Sequence, residues 1–269
     1  ISTVAGNVTI TAANDLTIDA ATGAATTTDV SGNLTLTSTN LTTTAITTSG
    51  ILKADNDITI TAGDQVSVAK VQTVVGSVTI TAGNEINFAT TASDINNGSL
   101  TVTSTSAIAN ETAGGSGLIN VDVNLDADND ITLTAAEMDI EGNIISNKDD
   151  VVLTATNEIN TAGTITATAG DVTISVTGTA GMDFVAQAAG DTITAANDIT
   201  VSADDVTVGP ATSSDVGNIT ITANNDVTTL GNLTSNTDAG SITITSNKAW
   251  VDGAAGITLA NGSTVDADN

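Results

Sequence analysis

The chain has 269 residues and a net charge of −27, with four lysines and no arginine. That balance excludes nucleic acid as a partner, because neutralising a phosphate backbone takes Lys and Arg, and it disfavours anionic membrane surfaces on the same grounds. His, Cys and Tyr are also absent, which excludes Ser-His and Cys-His nucleophile systems.

The first predicted element is a strand at Gly6-Asn7-Val8-Thr9-Ile10-Thr11-Ala12. Apolar and Thr positions alternate with a period of two, the mark of a half-buried strand. Asn14-Asp15 then marks a corner, and Leu16-Thr17-Ile18 a second strand. The same order returns at Gly32-Asn33-Leu34-Thr35-Leu36-Thr37 and at Gly76-Ser77-Val78-Thr79-Ile80-Thr81-Ala82, the latter followed by Asn84-Glu85-Ile86-Asn87-Phe88. Later copies start at Gly98, Gly170, Gly217 and Gly240.

The central apolar residues of these copies are Ile10, Leu36, Ile60, Ile80, Val102, Leu133, Leu153 and Ile174. Val201, Ile221, Ile244 and Leu259 continue the series. Most steps fall between 20 and 26 residues, with a longer one of 31 from Val102 to Leu133. Self-similarity at such a period signals a solenoid or an array, and the unit is too short for a propeller blade. A coil therefore reads as a strand, an Asn corner, a second strand and a variable turn. Gly and Asn are expected to serve the corners by accepting left-handed backbone. Stacked coils would pair each strand in parallel with its equivalent above and below.

Aromatic residues make up only 1% of the chain against 40% hydrophobic overall. Stacked Val, Ile and Leu fill a narrow solenoid core without large rings, and outward Thr suits an exposed parallel sheet. The fold expected is all-β, a single-stranded right-handed parallel β-helix of about a dozen coils. Residues 1–269 read as one continuous β-solenoid. The terminal Val265-Asp266-Ala267-Asp268-Asn269 matches Leu125-Asp126-Ala127-Asp128-Asn129, which leads into another strand. A segment of a longer repeat array is therefore expected. No apolar run approaches the roughly 20 residues of a membrane span, so membrane insertion is not expected.

The copies at 6–12, 76–86 and 217–223 resemble the repeat region of filamentous haemagglutinin-type adhesins and related large bacterial exoproteins. The resemblance spans nearly the whole chain. It implies a right-handed parallel β-helix displayed at the cell surface or released outside the cell. The secretion-domain motif Asn-Pro-Asn-Gly of that family is not found in this sequence.

The candidate sites are few. Paired carboxylates are the remaining catalytic route, and Asp149-Asp150 and Asp204-Asp205 are the pairs, both at expected corners; no enzyme activity is expected. Asp126, Asp128, Asp130 and Glu137 are candidate calcium ligands with an EF-hand-like spacing. The sixth place of that motif is Ile131 instead of Gly, and Ile131-Thr132-Leu133-Thr134 is a repeat strand, so weak binding between acidic corners fits better than an EF-hand. The long step after Val102 makes Asn110, Glu111 and Thr112 part of a candidate recognition loop. Trp250, the single Trp, is a candidate contact residue. The Thr-x-Thr pairs also match the outward ranks of ice-binding β-helices. Thr is nonetheless the best outward residue of any exposed parallel sheet, and irregular coil lengths favour that simpler role.

The function expected from all this is a non-enzymatic extracellular one, the rigid stalk of a large surface adhesin or exoprotein engaging a cell-surface or matrix ligand. The alternative is a subunit of an extracellular fibre or surface layer that self-associates end to end. An ice-binding or calcium-dependent adhesin module ranks behind both.

Overall fold

The computed structural model describes residues 2–3, 6–19, 27–41, 44–89, 92–106, 117–178, 183–186, 191–213, 217–235, 240–248, 256–259 and 264–267. The described residues form strands, turns and bends without a helix. The chain falls into two compact units, 1–137 and 138–269. Each is a parallel β-solenoid.

In the first unit the alternating motif forms the first strand of each coil: Val8–Ala12, Leu34–Ser38, Ile58–Ala62, Val78–Ala82, Leu100–Ser104 and the start of Ile131–Ile140. Each pairs in parallel with the next, and Ile10, Leu36, Ile60, Ile80, Val102 and Leu133 fall in one column. From Leu36 to Leu133 the column is fully buried. The intervening Thr residues point outward and remain half or fully exposed. Leu16–Ile18, Thr44–Thr48, Gln65–Val68, Ile86–Phe88 and Leu118–Val121 form a second ladder.

A third strand closes each coil, which the sequence pattern left as a variable turn. In the first unit these are Ser2–Thr3, Thr27–Val30, Ile51–Ala54, Lys70–Thr73, Ser93–Ile95 and Leu125–Ala127. They are at most four residues long, too short to show a period of their own. They pair because the coils above and below hold them in register.

The second unit repeats this plan. Its first strands are the start of Val151–Thr161, then Val172–Val176, Ile199–Ala203, Ile219–Ala223 and Ile242–Ser246. Leu153, Ile174, Val201, Ile221 and Ile244 form their column, the first four of them fully buried. Leu259 is not its next member. It aligns with Thr229 in the second-strand ladder of Asp183–Ala186, Asp205–Val208, Val227–Thr229 and Ile257–Leu259. A step of 15 residues is too short to complete a coil. The third strands run from Ile144–Ser146 to Val265–Ala267. The two first-strand ladders hold six and five rungs, slightly short of the dozen that the spacing implies.

The glycines act mainly through close approach and not through left-handed backbone. Gly6, with φ of 111°, is the described glycine with positive φ, and Asn97, with φ of 53°, is the described non-glycine residue. At Gly217, by contrast, a Cβ would overlap the Asn197 carbonyl of the coil below, and at Gly98 it would overlap the carbonyl of Gly76. At these two positions only a hydrogen atom fits between coils, whereas Asn129 and Asn197 take the same corner in the coils stacked on Gly98 and Gly170.

Small hydroxyl residues end many inward faces. Ser38 Oγ donates to Asn14 O at 2.8 Å, Ser146 Oγ to Asp149 O at 2.8 Å and Ser235 Oγ to Gly217 O at 2.9 Å. Thr229 is different. It is fully buried in the second-strand ladder, and its hydroxyl meets no hydrogen-bond partner among the described residues.

Two substitutions test this packing by urea denaturation. Ile80→Ala removes a fully buried side chain between two rungs and is expected to cost about 2–5 kcal/mol. Thr229→Val keeps the shape and removes the unpaired hydroxyl, and is expected to raise stability by about 1–3 kcal/mol. A loss of stability in Thr229→Val would show that the hydroxyl is paired in solution.

Candidate functional site

Outside the core, polar side chains gather in two settings, the corners between strands and the outward walls. The corner before each first strand carries a ladder. Asn7 Oδ1 accepts from the backbone N–H of Asn33 at 2.9 Å, and Asn33 Oδ1 from that of Asp57 at 3.4 Å. Asp57 Oδ1 then accepts from Ser77 N–H at 2.9 Å, and Ser77 Oγ from Ser99 N–H at 3.1 Å. The second unit builds the same ladder with carboxylates. Asp150 receives Asp171 N–H at 2.8 Å, Asp171 receives Asp198 N–H at 3.0 Å, and Asp198 receives Asn218 N–H at 2.7 Å. Asn218 Oδ1 continues it to Ser241 N–H at 3.0 Å.

The corner between first and second strands carries another set. Asn40 Nδ2 donates to Asp15 Oδ1 at 2.7 Å, Asn84 Nδ2 to Asp64 Oδ1, and Asn224 Nδ2 to Asp204 Oδ1 at 2.7 Å. Asp205 Oδ1 accepts from Asp226 N–H at 3.0 Å, and Lys248 Nζ pairs with Asp226 at 2.6 Å. The paired carboxylates Asp204-Asp205 are thus engaged in holding one coil to the next, as is Asp150. Burial pushes the carboxyl of Asp191 above its ordinary value, with desolvation and not a neighbouring charge as the cause.

The calcium candidates are spread along the chain path. Asp126 lies on the third strand Leu125–Ala127, aligned with Asp94 of the coil below. Asp128 Oδ2 accepts from Asn97 N–H at 3.0 Å at the corner that follows. Asp130 precedes Ile131–Ile140, and Glu137 lies in the second half of that 10-residue strand. Asp130 and Glu137 therefore do not share one loop, as an EF-hand would require. Asn110, Glu111 and Thr112 of the candidate recognition loop, and Trp250, lie outside the described residues.

The outward walls differ in chemistry. On the third strands of the first unit the outward rank reads Asp29, Lys53, Gln72, Asp94, Asp126, and Lys53 pairs with Asp29 at 3.4 Å. The second-strand wall of that unit holds a concavity of about 280 Å³ lined by Thr47, Gln65, Val66, Ser67, Glu85 and Asn87. Gln65 Nε2 donates to Glu85 Oε2 across it at 3.4 Å. It has no aromatic ring in its lining and no basic group.

The first-strand wall of the first unit is uniform. Thr9, Thr35, Thr59, Thr79, Thr101 and Thr132 form one rank, and Thr11, Thr37, Thr61, Thr81, Thr103 and Thr134 the other. Coil lengths vary in the turns, yet both ranks keep register. Irregular spacing in the sequence thus leaves the wall regular. The sequence showed the Thr pairs, but only the register shows that they align without slippage.

The corner ladders generate a prediction. Asp198→Ala removes the acceptor for Asn218 N–H and is expected to cost about 1 kcal/mol, measured as a shift in the urea midpoint. Asp198→Asn keeps an acceptor oxygen and is expected to retain most of that stability. Equal losses in both variants would mean that the ladder acts through charge and not through the hydrogen bond. No family model matches the chain, and no curated protein or solved structure matches it.

Proposed function

We propose that this chain is a non-enzymatic structural segment of an extracellular surface protein, a rigid β-helical spacer that carries a ligand-binding part away from the cell. The observation that carries this reading is the register of the first-strand ladder in each unit, which holds although the second-strand ladder shifts by a bulge between Thr44 and Ile46. Five successive first-strand pairings in the first unit run without an offset. Such a repeat gains length with each coil while reusing the same contacts, which is what a spacer needs. The corner carboxylates are engaged in inter-coil hydrogen bonds, which supports a structural role for them over catalysis. The likeness of the Gly-Asn-Val-Thr-Ile-Thr-Ala copies to filamentous haemagglutinin-type repeats supports the same setting, with a cell-surface or matrix ligand as the partner of the whole protein. Calcium at acidic corners would add to stiffness in this reading.

A second reading is a fibre or surface-layer subunit that self-associates end to end. Ile257, Leu259 and Val265 are 46%, 47% and 44% exposed, whereas Val227 and Leu233, which align with Ile257 and Val265, are fully buried. Apolar side chains in core positions would be covered by a further coil or by a second copy laid on this edge.

Immunogold labelling and negative-stain imaging of intact source cells separate the two. The spacer reading expects label at a fixed distance outside the envelope on discrete single-molecule projections. Uniform filaments built of short identical subunits would favour the fibre. Label confined to the cell interior would overturn both.

A further inference from the structure

We infer that the first-strand wall of residues 8–134 is an ice-binding surface. The inference does not depend on the spacer reading.

Three separate observations converge on it. The first is geometry. Two ranks, from Thr9 to Thr132 and from Thr11 to Thr134, run in register over six rungs. Parallel strands set the rungs roughly 4.8 Å apart, and two residues along a strand place the ranks roughly 6.7 Å apart. The result is a two-dimensional lattice of hydroxyl and methyl groups. Thr is β-branched and stiff at χ1, so the lattice is held by the backbone.

The second is the state of the hydroxyls. Among the described residues, none of the hydroxyls in these ranks hydrogen-bonds to another protein group. The spacing explains this. Neighbours in a rank repeat at roughly 4.8 Å, whereas an O–H···O bond spans about 2.5–3.0 Å. Hydroxyls in the same rotamer cannot reach each other, but a water between two of them can bond both. The equivalent wall of the second unit is less regular, since Val152 and Ser175 interrupt the pattern and Ser202 Oγ donates to Ser175 Oγ at 3.2 Å.

The third is the exclusion of charge. The chain carries −27 overall, yet no position of either rank is charged. The third-strand wall of the same unit carries Asp29, Lys53, Asp94 and Asp126 in a single rank. The outward second-strand rank Thr17, Thr47, Ser67, Asn87 and Asn120 is uncharged as well, but it mixes side chains of different shape, so the first-strand wall of this unit combines absence of charge with a single side-chain type. A wall that must order water excludes charge, because an ionised group binds its own hydration shell and breaks the lattice. Hydroxyls anchor the waters and the methyls between them tolerate a cage of ordered water. Repetition supplies the strength, since each rung adds to sites already held in place.

The test is ice recrystallisation inhibition and thermal hysteresis with the 269-residue chain, alongside circular dichroism. The wild type is expected to be active in both assays. Thr79→Lys combined with Thr101→Lys, which puts charge in the centre of one rank, is expected to lower activity about tenfold or more. Gln72→Lys, on the third-strand wall, is expected to leave it unchanged. If the lysine pair loses β-structure, Thr79→Ala with Thr101→Ala replaces it and is expected to lower activity as well. An inactive wild type overturns the proposal, as does a folded Thr-wall variant that retains full activity. Equal loss in Gln72→Lys also overturns it, by placing the active face elsewhere.

Discussion

Each coil rests on another of the same pattern, so every residue must tolerate its own kind as its neighbour about 4.8 Å away. That constraint of parallel register sorts the chain's chemistry. Val, Ile and Leu stack on themselves at a gain and take the inward positions. Thr stacks on Thr without clash or repulsion and takes the first-strand wall of the first unit. Asp stacked on Asp is tolerated where each carboxylate can accept the backbone N–H of the next coil, as Asp150, Asp171 and Asp198 do. Gly takes the place where two coils come too close for a Cβ.

Magnitudes separate what holds the fold from what aligns it. Burial of one Leu or Ile side chain contributes about 1.5–3 kcal/mol, and every complete coil supplies several. A corner hydrogen bond contributes about 0.5–1.5 kcal/mol net, and more with a charged acceptor. The apolar columns are therefore the larger source of stability. The corner ladders work on register instead. Slipping a strand by one residue would turn its apolar set outward, and a side-chain acceptor that reaches one particular N–H of the next coil opposes that slip. Together they account for a wall that stays regular although the turns between its strands differ in length.

Parallel register also joins the two functional readings. A spacer needs coils that repeat without offset, and an ordered-water surface needs outward groups that do the same. The first-strand wall meets both requirements because the backbone imposes one spacing on the core and on the surface. The third-strand wall obeys the same spacing but mixes Asp, Lys and Gln, so it is regular in position and not in chemistry.

Much of this was legible in the chain itself. The period-two alternation in Val8-Thr9-Ile10-Thr11 gave the first strands and their buried face, and the spacing from Ile10 to Leu153 gave the stacking. Those signals are local, and burying Val and Ile on one side of a strand leaves little choice of conformation. The third strands were not legible, because three or four residues such as Ser93–Ile95 have no period and become strands only when paired from above and below. The corner chemistry was half legible. Gly and Asn marked the turns, but the reason is contact between coils about 20–30 residues apart, at Gly217 over Asn197 and at Asn7 under Asn33. The sequence by itself determined the all-β repeat, the inward columns and the acidic, Thr-rich surface. Only the tertiary structure decided which Thr stands beside which, that Leu259 belongs to a second strand, and that the aspartates hold the coils together. Register between coils is a non-local contact, and no single coil encodes it alone.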